Sequence, residues 1–64
     1  MFDFNQVKVG ELVSFGDYGM WYVTNLNNGG SSFWVTDDRE QRLNPNCNGK
    51  YILKSYAEFI VERD

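Results

Sequence analysis

The chain has no histidine, one cysteine, one proline and no apolar run longer than a few residues. Each scarcity removes a class of function. Without histidine, the side chain most often used as a general base is missing. One cysteine cannot close a disulfide within the chain, nor build a structural zinc site unaided. No stretch approaches the ~20 apolar residues of a membrane-spanning helix. The start, Met1 to Asn5, carries no basic region followed by an apolar stretch, so no signal peptide is expected. A lone thiol fits a reducing compartment, and a cytoplasmic location is the expectation.

Positive charge is also scarce. Six Lys and Arg face nine Asp and Glu, for a net charge of −3. Proteins that grip duplex nucleic acid draw much of their affinity from neutralising phosphates, so this balance disfavours that role. It is equally too small a charge for a mimic of DNA. Catalytic and ligand motifs are missing in turn. Cys47 sits in a polar loop with Lys50 as the only nearby charge, and no base stands beside it to form a thiolate. The acids Asp37, Asp38 and Glu40 lack the glycine and distant glutamate of a calcium loop, and they read as a solvated turn. Asn28-Gly29-Gly30 joins two strands rather than a strand and a helix, so it is no phosphate loop. No cofactor, metal ligand or catalytic residue is assigned, and the chain reads as non-enzymatic.

What remains is rich in rings. Aromatic residues make up 17% of the 64 residues, and each large ring buries about 150–250 Å². Such rings can fill a core in a chain this short, whose net stability is only ~3–5 kcal/mol. The length allows one domain, residues 1–64. The pattern is all-β. Gly10 interrupts an apolar alternation and marks a bend. Glu11 to Phe15 then reads as a strand with Val13 and Phe15 inward. Gly16-Asp17-Tyr18-Gly19 is a turn. Ahead of these, Phe2 and Phe4 alternate with polar residues, as an edge strand or as an arm capping the core would.

The centre of the chain is a hairpin from Gly19 to Thr36, with strands Met20–Leu26 and Phe33–Thr36. Two registers are open. A two-residue Asn28-Gly29 turn pairs Val23 with Trp34 and Tyr22 with Val35. A three-residue loop, Asn28 to Gly30, pairs Val23 with Val35 and Thr24 with Trp34. The second sorts the faces better, with Trp21, Val23, Phe33 and Val35 on one side and Tyr22, Thr24, Trp34 and Thr36 on the other. A one-residue slip would turn every side chain over, so that register is preferred. It places Trp21 inward and Trp34 outward.

Beyond the hairpin, Asp37 to Glu40 reads as a second turn, with Glu40 to Leu43 pairing back as a fourth strand. Asn44 to Lys50 is a loop. Tyr51 to Leu53 reads as a short strand. Ser55 to Glu58 reads as a helical turn with Ser55 as cap and Glu58 at capping-box spacing, and Phe59 to Val61 as a last strand. A continuous helix from Tyr51 to Arg63 is the rival, and the β-branched pair Ile60-Val61 speaks against it.

The run Val7-Lys8-Val9-Gly10-Glu11-Leu12-Val13 resembles the entry to an SH3-like small barrel of the kind that includes KOW-type domains. Gly19 followed by Val23 and then Leu26 resembles the hairpin that follows. Phe33 and Val35 fall where third-strand core residues would lie, and Leu53 to Val61 resembles the closing helical turn and final strand. The resemblance implies a small antiparallel barrel of about five short strands with a short helical turn before the last. It also suggests two kinds of ligand, nucleic acid or an extended peptide. KOW-type binders carry bases in their loops, whereas Gly16 to Gly19 has one acid and no base, and the Asp37–Glu40 turn is net negative.

The preferred functional reading is therefore a non-catalytic protein-binding module. Tyr18, Met20, Tyr22, Trp34 and Arg42 are the expected partner-binding residues, because Tyr, Trp, Met and Arg are enriched at interface centres. The free edges of the hairpin offer a place for a partner strand. A homodimer would supply the core area so short a chain lacks. The small size suits an accessory or regulatory protein, such as a phage- or prophage-encoded modulator of a host protein. The alternative is a nucleic-acid binder using Lys8, Arg42, Lys50 and Lys54, with exposed rings stacking on bases.

Overall fold

A computed structural model describes residues 2–47 and 49–63. Asn48, within the expected Asn44–Lys50 loop, lies outside the described residues. The fold is all-β. Five antiparallel strands, β1 (Leu12–Ser14), β2 (Met20–Asn25), β3 (Ser32–Thr36), β4 (Lys50–Leu53) and β5 (Phe59–Glu62), form one sheet in the order β4-β3-β2-β1-β5. Helical structure among the described residues is confined to four single 3-10 turns. Among the described residues no helix is long and apolar enough to cross a membrane.

The core follows from strand alternation. Val13 and Phe15 point inward with Val23, Phe33, Val35, Ile52 and Val7, all nearly inaccessible to solvent. Phe15 and Phe33 meet edge to face, ring centroids 6.2 Å apart. Phe2 and Phe4 pack against this cluster from the N-terminal arm, where Phe4–Gln6 is a 3-10 turn capped by Asp3. The arm thus caps the core instead of adding an edge strand. Gly10, at φ +93°, makes the expected bend and donates its N–H to the Val23 carbonyl at 2.8 Å.

The hairpin takes the face-sorting register at its base, with Val23 opposite Val35 and Tyr22 opposite Thr36. It departs one residue later. A bulge makes Asn25, not Thr24, the partner of Trp34. Thr24 is left buried, and its hydroxyl donates to the Cys47 carbonyl at 3.0 Å. The turn itself spans Asn27 to Gly30, whose ends bond at 2.8 Å. Positive φ occurs at Asn27 and Gly29 but not at Asn28, so the tight primed turn of an Asn-Gly hairpin does not form.

Two expectations fail. Glu40–Leu43 is not a strand: Arg39–Gln41 is a 3-10 turn whose N–H groups are capped by Asp38, with Asp38 Oδ1 accepting from Glu40 N at 3.0 Å. Short polar side chains here compete with ladder bonding. Asn44 Oδ1 likewise accepts from Asn46 N at 3.0 Å, turning the chain twice more before β4 begins at Lys50. The second failure is Ser55. The 3-10 turn is Lys54–Tyr56, Leu53 stands at its cap, and no side chain caps it. The strand, helical turn and strand order of the C-terminal segment holds, which excludes the continuous helix.

The hairpin edges are also closed. β2 lies between β1 and β3, and β3 between β2 and β4, so the sheet's edges are β4 and β5.

Candidate functional site: an aromatic surface

The expected partner-binding residues do not form one patch. Tyr18 is exposed in the 3-10 turn Gly16–Tyr18, and Met20 is exposed two residues on at the start of β2. Tyr22, Trp34 and Arg42 are half-buried. Tyr22 lies close enough to the Arg39 side chain to raise its pKa, and Arg42 Nη1 donates to the Arg39 carbonyl at 3.0 Å, so Tyr22 and Arg42 both neighbour Arg39. Trp34 stands edge-on to Tyr51, its partner across the β3–β4 ladder, with centroids 5.4 Å apart.

Around Tyr18 the chain assembles a surface from three elements. The Tyr18 ring stacks on Tyr56 of the β4–β5 turn, with centroids 4.9 Å apart and planes 23° apart. The neighbouring Tyr56 hydroxyl, through hydrogen-bonding and charge interaction with the Tyr18 phenol, raises the Tyr18 pKa above its usual value. Met20 and Phe59 flank Ser14, which pairs with both across the β2-β1-β5 ladder. Both are more than half exposed, whereas Ser14 between them is covered. Trp21 anchors the turn from beneath: its Nε1 donates to the Tyr18 carbonyl at 2.7 Å. Tyr56 and Phe59 were not singled out from the sequence. The signal available was the alternation in β5, where an inward Ile60 turns Phe59 outward.

The cations are mostly engaged within the chain. Arg39 bridges to Glu62 at 2.8 Å, and the nearby Glu62 carboxylate raises the Arg39 pKa. Arg63 reaches Glu11 at 3.2 Å. Lys50 Nζ lies 4.5 Å from the Trp21 ring centroid, and Lys54 Nζ 5.4 Å from that of Phe33. Such ties hold the charges apart rather than gathering them into a phosphate track.

No cluster of potential metal ligands occurs among the described residues. Two open clefts do. The larger, about 380 Å³, is lined by Val9, Thr24, Leu26, Leu43 and Pro45 beneath the β3–β4 connection. No protein-family model matches the chain, and no curated protein or solved structure matches it.

Proposed function

We propose that this chain is a non-catalytic protein-binding module on an SH3-like small barrel. Its binding surface is the exposed aromatic ridge of Tyr18, Tyr56, Met20 and Phe59. The stacked Tyr18–Tyr56 pair carries the reading. Two turns far apart in sequence are brought together so that two rings face each other and yet remain about half exposed to solvent. A pair placed only for stability would be worth more buried. Rings held rigidly at a surface lose little entropy when they receive a ligand, and aromatic-lined grooves suit extended, proline-containing peptides. Asp17 and Glu58 beside the ridge favour peptides carrying a basic residue.

The KOW-like nucleic-acid reading is the weaker one, since five of the six basic side chains already have partners within the chain and the net charge is −3. Selection from a displayed library of proline-containing peptides tests the proposal. Enrichment on the wild-type chain should vanish on the Tyr18→Ala/Tyr56→Ala double variant. Enrichment that survives both substitutions removes the ridge as the site. Retention of an oligonucleotide with a steep salt dependence would favour the alternative.

A further inference from the structure

We propose that the two open edges of the sheet, β4 and β5, are complementary to each other, and that a second copy of this chain adds its β5 to the free edge of β4. The observation is one of register. β4 and the residue after it read Lys50-Tyr51-Ile52-Leu53-Lys54; β5 and the residue before it read Glu58-Phe59-Ile60-Val61-Glu62. Each edge is an apolar triplet centred on isoleucine and closed at both ends by one sign of charge, positive on β4 and negative on β5.

Laid antiparallel, as every pair in this sheet is, the two edges meet with Ile52 opposite Ile60 of the second copy. Leu53 then faces Phe59 of that copy and Lys54 faces its Glu58. The pleat agrees with this pairing. Ile52 lies on the inner face opposite Phe33, and Ile60 on the inner face opposite Val13. Leu53 and Phe59 both point outward, 39% and 53% exposed. Sliding the strands by two residues in either direction sets an isoleucine against a glutamate, so charge and apolarity select the same register. Lys50 and Glu62 fall at the end of the ladder. There the β5 bulge turns Glu62 toward Arg39, so this end adds less.

Neither strand is protected at its centre by proline or by a charge, the usual devices against edge pairing. Within one chain β4 and β5 stand at opposite ends of the strand order and do not pair. The contact is heterologous, because the edge used on one copy differs from the edge used on the next. It therefore propagates into a closed ring or an open chain of copies rather than stopping at a two-fold dimer.

Sedimentation from about 1 μM to about 1 mM reads this directly, since mass action makes such assembly concentration-dependent. The wild-type mass should climb above the 7.5 kDa of a single copy in steps of that mass. Glu58→Lys alone and Lys54→Glu alone set like charges against each other and should both remain single copies. An equal mixture of the two variants should associate again, because each then meets an opposite charge at either edge. Circular dichroism confirms that each variant folds. If Lys54→Glu does not fold, Leu53→Lys, which puts a charge against Phe59, takes its place as an association-deficient variant. A wild-type mass of 7.5 kDa throughout, single variants that assemble like the wild type, or an inert mixture would each overturn the proposal. Phe59 belongs to both surfaces, but the Tyr18→Ala/Tyr56→Ala variant leaves it and both edge strands unchanged and should assemble normally, which separates this contact from the stacked tyrosine pair of the ridge.

Discussion

Arg63 reaches back across 52 residues to place Nη1 3.2 Å from Oε2 of Glu11, a carboxylate only 3% exposed. The other oxygen of Glu11 accepts the Lys8 N–H at 2.7 Å, closing the turn that begins β1. One buried group thus ties the first bend of the chain to the end of β5. Glu11→Ala leaves the Lys8 N–H without its acceptor and breaks the ion pair to the solvent-exposed guanidinium, and should cost about 1–3 kcal/mol in urea unfolding. Glu11→Gln keeps an acceptor for the N–H and should cost less. Equal losses for the two variants would mean that the ion pair, not the turn, dominates.

Tyr18 gives a pH signature. The Tyr56 hydroxyl beside it favours its protonated form and raises its pKa. The stabilisation is therefore complete below the ordinary tyrosine value of about 10 and is lost as pH rises through the higher folded value. In an ultraviolet phenolate titration, Tyr18→Phe should delete a step that lies above the ordinary tyrosine value. Tyr56→Phe should return that step toward the ordinary value. Deletion of an ordinary step by Tyr18→Phe would show that Tyr56 does not perturb the Tyr18 hydroxyl in solution.

Gly29 tests the hairpin turn through its backbone alone. Its φ of +85° is a conformation side chains resist, and a Cβ there would touch nothing within 4 Å. Gly29→Ala should therefore cost about 1 kcal/mol in thermal or urea unfolding, and Gly29→Asn, which tolerates positive φ, less. Gly30→Ala differs in kind, since its Cβ would collide with the Asn27 side chain. A loss for Gly29→Asn as large as for Gly29→Ala would mean that the turn is not the one described.

Most of the core was legible because alternation is local. Val13 and Phe15, and Phe33 and Val35, each follow from period two within their own strand, whereas the all-apolar run Tyr51-Ile52-Leu53 does not reveal that Ile52 is the inward residue. What escaped was set by competition or by closure. The Asp38 cap and the asparagine turns outbid a strand at Glu40–Leu43, although Arg42 and Leu43 are no worse strand formers than Lys50. The bulge at Thr24 depends on the Cys47 carbonyl, 23 residues away, receiving its hydroxyl. The Tyr18–Tyr56 contact exists only once β5 has docked on β1 and drawn the β4–β5 turn toward Gly16. Half of the candidate surface was therefore invisible to a reading that stopped at the hairpin.

The two tryptophans should respond oppositely to truncation. Trp21 lies on the inner face beside Val13, packs against the core and anchors the Tyr18 turn through Nε1. Its ring also carries the Lys50 ammonium. Trp21→Ala should cost about 3 kcal/mol or more, against a total stability of only ~3–5 kcal/mol for a chain of this size. That variant is expected to be largely unfolded at room temperature. Trp34 projects outward, and its chief ring contact is the exposed Tyr51. Trp34→Ala should lose the aromatic pair term of about 0.5–1.5 kcal/mol plus modest area, and should still unfold in one cooperative transition. Urea midpoints followed by far-ultraviolet circular dichroism decide the matter without relying on tryptophan signals. If Trp34→Ala proves the more damaging, its ring belongs to the core. The outward assignment of alternate β3 residues then fails, and with it the outward placement of Tyr51 and Leu53 on which the β4 edge contact depends.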